Sequence, residues 1–201
     1  PGFEAAWHDQ HAKYARFLAP AIAVDAAVAR AGSIVVHSDA AGVIAQAIAA
    51  ATPGLRVTVA GLPSAVAYYR ADLDASVDAA DVRGRIDVAE RSVFEPSPDT
   101  DAVLLIRALD QHRDADAAHV LRQSAAGLRP GGSVLVVEHV LDEQSDDDHP
   151  YEEDIKQLVL HGTGHRTDPE NRALFAAAGL HLADVRTVGW GFTLYELRAG
   201  G

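Results

Sequence analysis

Short runs of β-branched and apolar residues recur along the chain, separated by longer stretches in which apolar residues follow helical spacing. Ile34–Val36 and Val57–Val59 are two such runs, and between them lie a small-residue turn, an Ala/Ile-rich helix and the stop Pro53-Gly54. Strand, turn, helix and strand make a βαβ unit, and the first turn of such a unit is where open parallel sheets hold ligands. Ile86–Ala89, Ala102–Ile106 and Val134–Val137 continue the series, the last uniformly apolar as expected of a central strand covered on both faces. Helices are predicted over Ala65–Asp78, anchored by Tyr68, Tyr69 and Leu73, over Asp114–Ala126 and over Tyr151–Leu160. Thr167-Asp168-Pro169-Glu170 reads as a helix start, with Thr167 or Asp168 as cap and Pro169 at the first position, and that helix ends at Gly179. Two closing strands, Leu182–Val188 and Phe192–Leu197, flank Gly189-Trp190-Gly191.

Ahead of this series, Phe3–Ala31 carries helical spacing with Phe17, Leu18, Ile22, Val24 and Val28 as the expected buried set, and Pro20 is expected to break it into two helices. Arg129-Pro130-Gly131-Gly132 is predicted to turn sharply. The acidic segment Asp142–Asp148 is predicted to be a solvated, mobile loop, because packed like charges repel. Alternating strands and helices closed by a hairpin specify an α/β fold, a Rossmann-like doubly wound sheet with an antiparallel edge. The expected division is a helical lead-in over 1–32 and one α/β domain over 33–201.

Composition narrows the function classes. A net charge of -12 argues against nucleic acid as a partner, since neutralising phosphates needs clustered Lys and Arg. The absence of cysteine excludes disulfides, thiolate nucleophiles and Cys-ligated metals. No run is long and apolar enough to span a membrane, and no signal peptide is seen, so a cytoplasmic location is the expectation. The 201 residues hold no methionine, so either an initiator was removed or the chain is a piece of a longer one.

From about Phe17 onward the chain resembles the catalytic domain of class I S-adenosylmethionine-dependent O-methyltransferases, in the branch acting on plant phenolics and bacterial polyketides. The phrases PGLRVTVAGLP, RIDVAERSVFEP, DAVLLIRALDQHRDADAAHVLRQ, LRPGGSVLVVEHVL and HGTGHRTDPENRALFAAAGL carry the likeness. The resemblance implies a seven-stranded sheet with an antiparallel last strand. It also implies an N-terminal helical dimerisation domain, of which this chain shows only a short helical lead, so that the domain is expected to be lost, on another chain or in sequence outside this one.

The resemblance further implies glycines after the first strand, a ribose-binding carboxylate after the second and an acidic residue after the third. At those positions stand Ser38-Asp39-Ala40-Ala41-Gly42, with only the last glycine kept, then Gly61, then Arg91-Ser92. Each added Cβ obstructs a backbone–ligand contact, and the Asp39 carboxylate repels the cofactor's own. The family's catalytic histidine position holds Asp110, with His112 nearby as a displaced base; Glu138 keeps its acidic type, and the second acidic position is His165.

The plain readings are that Ser38, Ala40 and Ala41 form a packed turn, that His112 and Asp110 are a helix-entry cap and its surface neighbour, and that Glu138 is an ion-pair partner. The sharper reading is that His37, Asp110, His112, Glu138 and His139 converge at strand C-terminal ends, with His161 and His165 facing the same cleft, for acid–base work on a small molecule. Metal binding through His37, His139 and His161 has no recognised motif spacing behind it. The expectation is therefore a methyltransferase-like domain without bound cofactor, acting as a small-molecule catalyst or binder in secondary metabolism. The alternatives are an O-methyltransferase using S-adenosylmethionine on an aromatic or polyketide hydroxyl, and a pseudoenzyme subunit that pairs with another chain.

Overall fold

The computed structural model describes residues 2–76, 80–142 and 149–200. In chain order the elements are α1 (Gly2–Ala23), α2 (Ala26–Ala29), β1 (Ser33–His37), α3 (Ala41–Ala51), β2 (Arg56–Gly61), α4 (Pro63–Ser76), α5 (Ala80–Arg83), β3 (Ile86–Glu90), β4 (Thr100–Ile106) and α6 (Asp114–Ala126). They continue with β5 (Leu128–Glu138), β6 (Val140–Leu141), α7 (His149–His161), β7 (Arg166–Thr167), α8 (Asp168–Ala177), β8 (Leu180–Val188) and β9 (Phe192–Ala199). Seven strands form one sheet in the order β3-β2-β1-β4-β5-β9-β8, while β6 and β7 make a separate parallel pair.

Strands β1 to β5 run parallel, and β9 lies antiparallel between β5 and β8. The strand order reverses between β1 and β4, which are paired through Ile34–Ala102 to His37–Leu105. Helices leave the two strands on opposite faces there, so their C-terminal ends open a crevice. Alternation along β1 divides the core: Ile34 and Val36 pack with α1, α3 and α4, whereas Val35 packs with α6 and α8 on the other face.

Helix α1 runs unbroken through Pro20, contrary to the expected break. Pro20 and Arg16 both face solvent, so the carbonyl that loses its partner to the ring is not stranded in the core, and Leu18, Ala19 and Ile22 still pack. The buried stripe of α1 is Ala12, Ala15, Leu18, Ala19 and Ile22. Phe17 at 57% exposure and Val24 at 74% lie outside the core they were assigned to. The alanines fix the phase, because only small side chains let α1 approach α3 closely.

The segment Arg129–Gly132 is a loop-out within β5 and not a turn between elements. Pairing jumps from Thr100–Leu128 to Ala102–Ser133, with Gly131 at φ 82°. Of the acidic segment only Asp142 is among the described residues, and Val77 and Asp78 of the predicted fourth helix also lie outside them.

The start of α8 is as read. Thr167 accepts from the Glu170 amide and Glu170 reaches back to the Thr167 amide at 2.8 Å, a complete capping box, while Gly179 follows the helix at φ 79°. Thr167→Ala is expected to cost about 1 kcal/mol, read as a lower urea midpoint with an unchanged slope.

Candidate functional site

Three clefts meet at the C-terminal ends of β1, β2 and β4. One, about 360 Å³, runs from His37 and Ser38 past Gly61 to Arg91, Ser92 and His112. A second, about 200 Å³, is walled by Tyr14, Leu18, Ile44, Trp190 and Phe192, with Arg107 and His139 as polar members. The third, about 280 Å³, lies between Trp7, His8 and Tyr68 and reaches His161. Asp39 borders all three, and Arg107 borders the first two.

The turn after β1 is closed by its own neighbours. Tyr69 on α4 donates its hydroxyl to the Ser38 carbonyl at 2.6 Å, and burial pushes this phenol's pKa far up. A Cβ built on Gly61 would stand 2.7 Å from Tyr69 Cε2, so the ring fills the space a side chain at the end of β2 would need. Gly42, the remaining glycine of the turn, serves helix packing instead: a Cβ there would meet Asp72 at 3.2 Å and the Tyr69 carbonyl at 3.3 Å.

The first helix then lies across this turn. His8 contacts the Asp39 carbonyl at 3.2 Å and Asp72 Oδ2 at 2.9 Å, and the Asp72 bond raises its pKa. His11 Nε2 is 3.6 Å from Asp39 Oδ2, and burial lowers its pKa. Gln111 Nε2 donates to the same carboxylate at 3.4 Å. After β3, Ser92 spends its polar groups within its own loop, its amide donating to Glu95 and its hydroxyl accepting from Phe94.

Deeper in, at the ends of β4 and β5, lies a buried group of acids and imidazoles. Asp110 is 2% exposed, which corrects its reading as a surface neighbour; the N-cap of α6 is Arg113 and not His112. Asp110 Oδ2 lies 3.4 Å from His165 Nδ1, 3.3 Å from Gln157 Nε2 and 3.8 Å from Arg107 Nε. Burial alone would raise its pKa, but His165 and Arg107 hold it below the usual carboxylate range.

Glu138, the last residue of β5, is no ion-pair partner either. Its Oε1 accepts from the amides of Ala108 and Leu109 at 3.1 and 2.9 Å, while Oε2 has no hydrogen-bond partner. Burial, reinforced by the charge of Asp110, drives its pKa well above the carboxylate range, so the acid is held protonated. His165 Nε2 and His161 Nε2 are likewise buried without hydrogen-bond partners.

The remaining histidines scatter. His37 ends β1 and is buried beside Arg91; desolvation lowers its pKa to about 4, which keeps it neutral. His112 meets Phe94 edge-on at 4.9 Å, and its carbonyl accepts from Arg166. His139 packs on Phe192 at 3.7 Å and edge-on to His165 at 5.5 Å. Among the described residues no three His, Asp or Glu side chains are grouped to hold a metal ion. The structure thus brings Asp110, Glu138 and His165 together, with His112 and His161 within electrostatic reach of Asp110 and of each other, while His37 faces Arg91 instead.

Arg107, Tyr69, His8 and His11 belong to this edge and were not singled out by sequence reasoning. Arg107 had a signal, a cation directly after the apolar strand run Ala102–Ile106. Tyr69 had none, since its approach to Gly61 depends on how α4 folds back.

A profile of the O-methyltransferase domain matches residues 22–181. The chain belongs to this family. Cephaeline 6'-O-methyltransferase IpeOMT1 of Carapichea ipecacuanha is 31% identical over 157 residues, covering 74% of this chain and 42% of that protein. Aclacinomycin 10-hydroxylase RdmB of Streptomyces purpurascens is 36% identical over 151 residues, covering 74% of this chain and 39% of that protein. Among solved structures, TnmH matches with a TM-score of 0.89 and 26% identity, covering 100% of this chain and 59% of that one. The O-methyltransferase NcsB1, solved with S-adenosylmethionine and 2-hydroxy-5-methyl naphthoic acid, gives a TM-score of 0.83 at 25% identity, covering 98% of this chain and 57% of that one. The domain therefore spans about two fifths of the curated relatives it matches.

Two outcomes are expected from this geometry. Gly61→Asp should cost about 1–3 kcal/mol through its clash with the ring, and at least ~1 kcal/mol less in a Tyr69→Ala background, measured by urea unfolding of the four proteins of the cycle. For Glu138 the raised folded pKa means that the native state binds more protons than the unfolded chain above pH ~4.5. Its contribution therefore falls as pH rises, by up to about 1.4 kcal/mol per pH unit while the folded acid stays protonated. Glu138→Gln, which mimics the protonated acid, should flatten this decline between pH 5 and 8, seen as a urea midpoint that changes less with pH.

Proposed function

We propose that this O-methyltransferase domain keeps the family's ligand cleft but does not hold S-adenosylmethionine in the family manner, and that it acts on or binds a small molecule without that cofactor. The observation that carries this reading is Gly61 with Tyr69 against it. The position expected to present a ribose-binding carboxylate has no side chain, and the Tyr69 ring takes the space one would occupy. The other cofactor positions point the same way. Ser92 is committed to its own loop, Gly42 to helix packing, and Asp39 adds a negative charge at the turn that would face the cofactor's carboxylate. The residues present do not fit the group.

In this reading Asp110 and His165 are a buried acid–base pair, and Glu138 is a protonated carboxyl that fixes the backbone after β4. A relative named as a hydroxylase, aclacinomycin 10-hydroxylase, supports the view that this family's scaffold can serve chemistry other than methylation. Methyl transfer from S-adenosylmethionine is the second reading, favoured by the cleft beside Gly61 and Ser92 and by the cofactor bound to NcsB1. Pairing with a chain that supplies the remainder of the relatives' length is a third, favoured by the exposed Ile155, Leu158, Val159 and Leu160 on α7. Among the described residues no helix is long and apolar enough to cross a membrane.

Calorimetric titration with S-adenosylmethionine and S-adenosylhomocysteine separates the first two. Two missing charged contacts at ~1.4–3 kcal/mol each weaken binding by on the order of 10²–10⁴. No heat at micromolar ligand is the expected result, and a micromolar Kd would overturn the reading.

A further inference from the structure

Arg107 follows β4 immediately, at the reversal of strand order, with a left-handed backbone at φ 50°. A non-glycine residue adopts that conformation only when its surroundings hold it there. Here they do. The Arg107 amide donates to the Val137 carbonyl at 2.9 Å, its carbonyl accepts from Gln111 Nε2 at 2.9 Å, and the next two amides are taken by Glu138. The side chain is thus presented from a fixed point into the wall shared by the 360 Å³ and 200 Å³ clefts.

Its guanidinium is underused. Among the described residues none of its nitrogens donates a hydrogen bond, and the one ion-pair contact is Nε to Asp110 Oδ2 at 3.8 Å, beyond hydrogen-bond range. Asp110 is already shared with His165 and Gln157. Other arginines of this chain are spent on their own fold: Arg186 forks onto Asp25 at 2.6 Å, and Arg166 holds Asp114 together with the Leu109 and His112 carbonyls. The remaining charges at this edge do not claim Arg107 either. Asp39 faces His11 and Gln111, and Glu138 has its Oε1 on the backbone.

We propose that Arg107 is an anion anchor: the small molecule held at this edge carries a carboxylate that takes the free guanidinium donors, with its rings in the cleft between Tyr14, Trp190 and Phe192. The inference rests on the reading that this edge holds a small molecule, and it adds the ligand's chemical class. A planar fork presenting several donors suits a carboxylate in two-point contact. The aromatic and aliphatic walls accept flat rings. Each charged hydrogen bond so gained is worth about 10- to 100-fold in affinity.

The test is calorimetric titration of 2-naphthoate and of its uncharged analogue 2-naphthamide against the whole chain, Arg107→Met and Arg107→Lys, with circular dichroism as the folding check. The unchanged protein should bind the acid at least about 10-fold more tightly than the amide. Arg107→Met should remove that preference, and Arg107→Lys should restore part of it. A merely structural role would weaken both probes alike and leave their ratio unmoved. Equal binding of acid and amide overturns the anchor while leaving a small-molecule site standing, and binding of neither overturns it as well. If Arg107→Met does not fold, the acid-to-amide ratio in Arg107→Lys against the unchanged protein decides. Neither probe contains adenosine, so these results are independent of the cofactor titration: tight S-adenosylmethionine binding would remove the proposed function and leave the anchor to its own data.

Discussion

One hydrogen bond organises the ligand edge of this domain, that from the Tyr69 hydroxyl to the Ser38 carbonyl. It ties α4 to the turn after β1, and in doing so lays an aromatic ring over the end of β2. A Cβ at position 61 would stand 2.7 Å from that ring, so a side chain there has to displace it. The same closure brings Asp72 of α4 against the start of α3, where Gly42 leaves it room. It also brings Asp72 within reach of His8, so that α1 can lie across the turn. A turn that in a doubly wound sheet ordinarily stays open to a nucleotide is here part of the packed structure.

Behind the turn, electrostatics takes over from packing. Asp110 and Glu138 are both buried and feel each other's charge, so they cannot ionise with equal ease. Arg107 and His165 settle the matter by favouring the charged form of Asp110, and Glu138 keeps its proton. The opposite edge of the sheet is built otherwise. There Arg129 bonds Asp99 and Asp101, and Asp101 accepts the Ser33 amide. Polar groups are satisfied at the strand N-terminal ends, while Arg107 Nε, Asp110 Oδ1, Glu138 Oε2 and His165 Nε2 are not at the C-terminal ends. That asymmetry leaves the unpartnered buried atoms at the edge that borders the clefts.

The sheet was legible because its strands are β-branched runs between turn residues, and helix α6 over Asp114–Ala126 was read to the residue. The first helix was legible in type but not in phase. In an alanine-rich helix the large residues look like the core, yet Phe17 stacks on Trp190 outside while alanines pack inside. At the site, sequence could show which residues, Ser38, Ala40, Ala41 and Gly61, stand where the resemblance implies glycines and a carboxylate, because identity at a position is a one-dimensional fact. It could not show what fills the space. Tyr69 lies eight residues beyond Gly61 and reaches it only through the fold, and the meeting of Asp110 with His165 spans 55 positions of chain. The burial of Asp110 also defeated its reading as a surface residue: its local sequence is polar, and the elements that cover it are distant in the chain.

The first helix has a consequence for where the working unit begins. The family profile starts at residue 22, yet Trp7, His8, His11, Tyr14 and Leu18 wall two of the clefts. A boundary drawn at the profile's first residue would cut away one wall of two of the clefts. What the profile covers and what lines the clefts are different territories here. The second can diverge through a helix that the family profile matches only from residue 22.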